Sequence, residues 1–301
     1  PRKYFEPVAS RLFWLIPNIA LVVAGILLIT LYDFHLLVKL AISVVMGSSL
    51  ASLGFLGHEV LHGSVVKNRT LRDLVGTICF AQFNLGPKVW RRWHNVEHHG
   101  HTQGEQDPDA MGTLEDYKNR PALRALFAIA PWLRSLITFV AFTFWFSFHS
   151  FLMFLRFAPT FPKRKDRIIA VVQFLLPLSL WIGLLVLIGP GNFLFAYVIP
   201  VLVANFIVMS YIATNHMLNP LTPVNDPLAN SLTVTKWKWM DILHLNFSFH
   251  TEHHIFPSMN PKYAPKVKAL AKELWPDRYH EMPHWKALVA LWRTPRLYHE
   301  H

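Results

Sequence analysis

The sequence predicts an all-α integral membrane protein: four transmembrane helices in two hairpins, interfacial helices, and a cytoplasmic helical cap. Three observations carry this. Of 301 residues, 52% are hydrophobic and 14% aromatic while only 16% are charged, a balance too apolar for an ordinary soluble domain. Four apolar segments are each about 20 residues or longer, enough helix to cross roughly 30 Å of hydrocarbon. The 17 histidines include three patterned clusters, at or just beyond the ends of those segments.

The candidate spans are residues 12–31, 36–57, 168–189 and 192–213. "YDFH" joins the first pair and "GPG" the second, so each pair reads as a tight hairpin. The N-terminal apolar stretch is long enough to span and lacks a small-residue cleavage pattern, so no cleavable signal peptide is expected. Basic residues set the orientation. Arg2, Lys3, Arg11, Arg91, Arg92, the Lys163–Arg167 cluster, Lys236 and Lys238 all fall on one side of this arrangement, with Lys39 the exception at a hairpin tip. Both termini and a cap formed by residues 58–167 and 214–301 are therefore expected in the cytoplasm, within a single membrane domain spanning 1–301. A bacterial inner membrane or the endoplasmic reticulum fits this orientation.

The remaining stretches fit around those spans. Residues 132–157 are apolar enough to cross, but one extra crossing would invert everything after them and separate "HTEHH" from "HEVLH". They read as an interfacial segment rich in Phe and Trp, and the shorter 71–85 as re-entrant or interfacial. The basic, proline-containing stretch from Lys262 onward reads as a surface tail. The formal charge of +11 comes with no nucleic-acid motif, and a basic face toward anionic lipid accounts for it. Cys79 is the single cysteine, which excludes an internal disulfide and a thiolate metal site.

The histidine clusters are "HEVLH" (58–62), "HNVEHH" (94–99) and "HTEHH" (250–254). His58 and His62 share one helical face at i, i+4, as do His94 and His98, with His99 about 100° further round. His250, His253 and His254 share a face at i, i+3, i+4. His216, in "TNHM" just past the fourth span, lies at the same depth. Nine imidazoles suit two metals with four or five ligands each. His58-Glu59-x-x-His62 taken alone is also the zinc-peptidase signature. A peptidase zinc, however, needs three protein ligands and an open position and leaves the other histidines unexplained. Among the boxes only Glu59-x-x-His62 matches the Glu-x-x-His repeat of soluble carboxylate di-iron proteins.

Glu59, Glu97 and Glu252, one in each box, are candidates to accept the second imidazole N–H; Asp107 and Asp109 of "DPD" are further candidates, or caps for the next segment. Asn215 and Asn246 are candidates to hold a metal-bound water. Of the other eight histidines, His101 and His244 flank boxes; His35, His149, His280, His284, His299 and His301 carry no such pattern.

These motifs, "HEVLH", "WRRWHNVEHHGHTQGEQDPD" and "LNFSFHTEHHIFP", resemble the membrane fatty acid desaturase superfamily from about Gly47 to Pro261. The resemblance implies a di-iron centre, O2 as co-substrate, an external electron donor and oxidation of an unactivated C–H bond on an acyl chain. It assigns ligation to His58, His62, His94, His98, His99, His250, His253 and His254, and places His216 as the extra histidine after the last span. The spacings H-x3-H and H-x3-HH are similar to acyl-lipid and bacterial members rather than to acyl-CoA Δ9 enzymes. The fatty acyl substrate is left open among free acid, acyl-lipid and thioester. No His-Pro-Gly-Gly haem motif occurs, so electrons are expected from a separate protein such as ferredoxin or cytochrome b5.

A hydroxylase, a carotenoid ketolase or an alkene-forming fatty acid decarboxylase would use the same boxes. A non-catalytic metal-binding membrane protein is the alternative of another class; it would place ionisable residues inside the spans, whereas these histidines sit at their ends.

Overall fold

The computed structural model describes residues 2–110 and 114–293; His299 and His301 lie outside the described residues. The principal helices in chain order are α1 (Leu15–Leu31), α2 (Leu36–Leu61), α3 (Arg69–Phe80), α4 (Pro131–Phe142), α5 (Trp145–Phe157), α6 (Arg164–Phe193), α7 (Ile199–His216), α8 (His250–Ile255), α9 (Ala264–Leu274) and α10 (His284–Arg293). Two short strands, β1 (Thr233–Thr235) and β2 (Glu281–Pro283), pair in parallel with Val234 opposite Met282. Among the described residues, three helical stretches are long and apolar enough to cross a membrane, Arg2–Leu31, Leu36–Leu61 and Arg164–His216, or up to four if the bent pair α4 and α5 counts as one. The stretch 132–157 is thus two helices rather than one. The chain divides into two compact units, Pro1–Arg92 with Thr143–Met209, and Trp93–Phe142 with Ser210–His301.

In the first unit α1 and α2 form the first hairpin, and α2 runs without a break through Glu59 to Leu61. The expected span ended at residue 57. The helix carries on because its last four turns are buried on every side, so no polar face signals an end. The second hairpin turns at Gly189, whose φ of 76° is open to glycine at little cost. A continuous helix would separate Trp181 from Tyr197 by about 24 Å. Their rings stack at 4.3 Å instead, so the chain doubles back. Helix α7 passes so close to Gly47 that a Cβ there would meet Val203 and the Pro200 carbonyl at 2.5–2.7 Å.

The segment at 71–85 folds as α3 and a short 3-10 turn that return along α2. The Gln82 amide donates to the carbonyl of Leu50 at 3.0 Å, eight residues and about 12 Å of helix rise before His58. The Trp181 indole donates to the Ala81 carbonyl and the Tyr197 hydroxyl to that of Gln82. These side chains satisfy carbonyls of the 3-10 turn that lie past the end of α3.

The second unit carries the remaining boxes. Its C-terminal part is built structure rather than a tail. Ala271 and Tyr279 pack with Leu228 in a small core, β2 pairs with β1, and α10 lies on α4, where the Ser135 hydroxyl donates to the Trp292 carbonyl at 2.6 Å. The prolines and lysines that suggested a tail occupy its connections and outer surface, while Val267, Ala271 and Ala287 face inward.

Candidate metal centre

In the first unit, His58 and His62 stand one turn apart at the end of α2 with ring centroids 4.6 Å apart. The buried Trp90 indole presents its edge to both, at 5.7 and 5.1 Å. Glu59, between them, is buried and paired with Arg11 from the N-terminal segment. One long helix thus delivers both imidazoles with the spacing the sequence implies.

The second box departs from an α-helix. Arg91–His98 forms a π-helical turn, wider than an α-helical one because its backbone hydrogen bonds reach five residues back. His94 therefore meets His99, with Nε2 atoms 3.2 Å apart, while His98 stacks beside His94 at 5.1 Å. On α-helical geometry His99 would point well away from His94. The wider turn brings both onto one side.

The third box occupies the six-residue helix α8, held by its surroundings. Leu245 and Asn246, just before it, both have left-handed φ, 57° and 61°. Glu252 is 0% exposed, and its two oxygens accept from Tyr279 Oη at 2.5 Å and Thr233 Oγ1 at 2.7 Å. Burial raises its carboxyl above the usual range, against these two hydrogen bonds. Its partners are thus hydroxyls, and the carboxylates that reach an imidazole N–H lie elsewhere.

Within this unit the imidazoles converge in two sets. His99 Nε2 lies 3.2 Å from His94 Nε2 and 3.1 Å from His253 Nε2. His250 Nε2 lies 2.7 Å from His216 Nε2 and 3.1 Å from His254 Nε2. His98, His216 and His254, all buried, offer ligand atoms within 4.8 Å of one another.

Their outer nitrogens settle the tautomers. His98 Nδ1–H donates to Asp107 at 3.0 and 3.2 Å, and Asp109 lies 3.3 Å away. His216 Nδ1–H donates to the Asn230 carbonyl at 3.2 Å. Thr102 Oγ1 gives its own proton to the His98 carbonyl, so it accepts from His254 Nδ1–H at 3.3 Å. The inner Nε2 of His216 and of His254 is therefore a lone pair, and that of His98 becomes one once its proton is lost. His250 can donate to only one of its two Nε2 neighbours, at 2.7 and 3.1 Å, so at least one of their lone pairs receives no proton from it, and a cation among the three nitrogens would satisfy them all. The donor set fits a divalent transition metal.

Electrostatics agree with that fit. Burial and neighbouring imidazoles hold His99 and His254 well below the usual histidine range, so both are neutral donors. Burial also lowers His98, but Asp107 outweighs it and pushes His98 up to about 9. Asp107 is itself clasped, accepting from the backbone N–H of Gln103 and of Asp109 at 2.8 and 2.9 Å. The Trp93 indole donates to Asp109 at 2.8 Å.

The two asparagines differ. Asn215 is 0% exposed, and neither Oδ1 nor Nδ2 has a hydrogen-bond partner among the described residues. Asn246 Nδ2 donates to the Pro261 carbonyl at 3.1 Å. Glu97 lies 3.8 Å from His101, whose Nδ1 meets the Glu97 carbonyl. His244 pairs with the Tyr211 hydroxyl at 2.6 Å. Sequence reasoning did not single out Thr102, which lies in the second motif but reaches the third box, or Asn230, Thr233 and Tyr279, which reach the boxes from well away along the chain and belong to no motif.

The fatty acid desaturase family model matches residues 34–286. The chain is 25% identical over 272 residues to an sn-1 oleoyl-lipid 12-desaturase of Synechocystis, covering 84% of this chain and 74% of that protein. It is 24% identical over 300 residues to a protein of the same name from Picosynechococcus, covering 93% and 82%. A chloroplastic omega-6 fatty acid desaturase of Spinacia oleracea is 23% identical over 84% of this chain, which spans 58% of that protein's length. With its apolar helices and its histidine centre, the chain belongs to the fatty acid desaturase family, the membrane oxidoreductases that introduce double bonds into fatty acyl chains.

Proposed function

We propose that this enzyme is an O2-dependent di-iron desaturase acting on acyl chains esterified in glycerolipids, and that it places a double bond at carbon 12 of an oleoyl group. The observation that carries the metal reading is the convergence of imidazole lone pairs with Nδ1–H groups committed outward. The names of the cyanobacterial relatives support the substrate and position, and the H-x3-H and H-x3-HH spacings agree with an acyl-lipid enzyme.

In this reading His58, His62, His94, His98, His99, His216, His250, His253 and His254 serve two irons, with His94, His99 and His253 on one and His98, His216, His250 and His254 on the other. Iron with O2 supplies the oxidising power that removes two hydrogens from an unactivated methylene pair, which redox-inert zinc cannot. Asp107 and Asp109 orient His98 and offset its charge. The Asn215 amide serves a water or substrate oxygen at the four-histidine iron. Glu252 fixes the helix that bears three ligands, and Glu59 and Glu97 hold their own box segments. A separate one-electron carrier, a ferredoxin or cytochrome b5, supplies the electrons. The four spans form one membrane domain of residues 1–301, with both termini, the boxes and the cap on the cytoplasmic side.

Lipid mass spectrometry of cells that make oleoyl lipids but no dienes, and that express the protein, tests this. The expected product is a glycerolipid whose acyl chain has gained a second double bond at carbon 12. A hydroxylated chain, a ketolated carotenoid or a shortened terminal alkene would replace desaturation with another outcome on the same scaffold. Diene confined to free acids or thioesters would overturn the acyl-lipid substrate.

A further inference from the structure

Helix α10 carries a pattern that neither the metal centre nor the spans use. At about 100° per residue, Trp285, Val289 and Trp292 fall within a 60° stripe, and all three are exposed, Trp285 by 64%. Lys286 and Arg293 border that stripe on one side and are exposed as well. The opposite face is committed to the protein through the buried His284 and Ala287. The helix therefore has one face for the protein, one apolar face with two tryptophans, and a basic edge between them.

The apolar face is shared with α4. The Ser135 hydroxyl holds the Trp292 carbonyl, and Phe139 meets the Trp292 ring edge-on at 5.1 Å. Helix α4 exposes its own stripe at i, i+4, i+8: Trp132, Leu136 and Val140, with Trp132 at 65%. Together with α5 it has the apolarity of a membrane segment. An apolar surface rich in tryptophan and edged by lysine and arginine matches the head-group layer of a bilayer, where the indole sits at the boundary and the cation meets lipid phosphate. Solvent exposure of such a surface would carry a standing aggregation liability.

We propose that α10 is an interfacial helix that seats the C-terminal part of the chain on anionic lipid head groups, sharing one lipid-facing surface with α4. The proposal rests on the reading of residues 132–157 as an interfacial segment, and the experiment separates the two. Cys79 is fully buried and is the only cysteine, so single reporter cysteines are readable. Val289→Cys, Leu136→Cys and the acidic-site control Glu273→Cys are each labelled with bimane and reconstituted in nanodiscs containing phosphatidylglycerol. Fluorescence is then compared with and without lipids brominated near the head group.

Quenching of roughly twofold is expected at 289 and 136 and none at 273. The double variant Lys286→Glu/Arg293→Glu on the Val289→Cys background should lose quenching in anionic but not in neutral bilayers. Quenching at 136 with none at 289 overturns the proposal and leaves the reading of α4 intact. Absence at both overturns the reading as well. A 289 probe shielded from soluble iodide in detergent, on a protein that elutes as a dimer, replaces the lipid by a second copy of this chain.

Discussion

The first and third histidine boxes present similar spacings by opposite means. His58 and His62 ride on the end of a 26-residue helix, and local helical geometry alone sets them one turn apart. His250, His253 and His254 sit on six residues, too short to hold a shape by itself. Left-handed backbone before it, and a buried glutamate held by hydroxyls 19 and 27 residues away, take over that role. A ligand pair on a long helix depends on local sequence, whereas a set on a short one depends on the rest of the fold. Stability and metal binding should therefore respond differently to changes around the two boxes.

The largest effect is expected from the ligands themselves. His254→Ala or His98→Ala removes a lone pair from the four-histidine set. Either variant should fall to background desaturation and lose about one metal per chain, read by elemental analysis of purified protein. Full metal content in both variants would return these histidines to a structural role.

Arg11→Met tests the first box. It strips a buried carboxylate, Glu59, of its arginine, a change that typically costs about 3–5 kcal/mol. Thermal unfolding should shift accordingly. Metal bound per folded chain, measured well below the new midpoint, should change little, because α2 still fixes the His58–His62 spacing.

Asp107→Asn separates charge from shape at His98. Losing the charged acceptor behind a ligand typically weakens metal binding about 10–100-fold. The pH dependence sharpens the test. In the metal-free protein His98 is held up to about 9, so below that pH metal must displace its proton. Apparent affinity should rise about tenfold per pH unit from neutrality toward 9 and then level off. In Asp107→Asn the burial of His98 is no longer opposed by that charge, its proton is lost at lower pH, and the slope near neutrality should flatten. Titration of the apoprotein with ferrous iron between pH 6.5 and 9.5 reads both.

What the sequence made legible follows the same division. The long apolar helices and the hairpin turn at "GPG" rest on apolar length and on glycine, which are local signals. The helical face of His58 and His62 was legible for the same reason. The π-helical turn that brings His99 to His94 was not, because the residues of 91–98 carry no signal that distinguishes five-residue from four-residue hydrogen bonding. The glutamates drew attention because they lie inside the boxes. Asp107, the further candidate in "DPD" nine residues after His98, is the carboxylate on that imidazole, because the loop from Gln103 to Asp109 folds two backbone N–H groups around it. Tyr279 lies outside every motif, and the pairing of β2 with β1, together with the core of Leu228, Ala271 and Tyr279, brings the C-terminal stretch back to the third box.

Tyr279→Phe tests that remote tie directly. It removes one of two hydroxyl donors from Glu252 and leaves the ring in place, a loss of about 1–2 kcal/mol. The stability cost should be smaller than that of Arg11→Met, yet the fraction of metal retained on dialysis against a chelator should fall further, since the helix it steadies carries three ligands. Thr233→Val, which removes the other donor, should act alike. Metal retention equal to wild type in both variants would mean that α8 holds its shape unaided, and the contrast between the boxes would fail.

The smallest effect is expected at Asn246, which sequence reasoning ranked with Asn215. Its amide donates to the Pro261 carbonyl, and its φ of 61° is one that glycine adopts freely. Asn246→Gly loses one hydrogen bond, worth about 1 kcal/mol, and relieves a left-handed backbone strain of about the same size. The two terms nearly cancel, so unfolding midpoint, metal content and turnover should all stay close to wild type. Asn215→Leu is the partner measurement. That amide is sealed from solvent with neither polar atom partnered among the described residues, a cost that persists in a fold only if something else satisfies it. Replacing it with an apolar side chain should therefore spare or raise the stability of the metal-free protein while lowering turnover. A loss of metal in Asn246→Gly would reverse this assignment and place Asn246 at the centre.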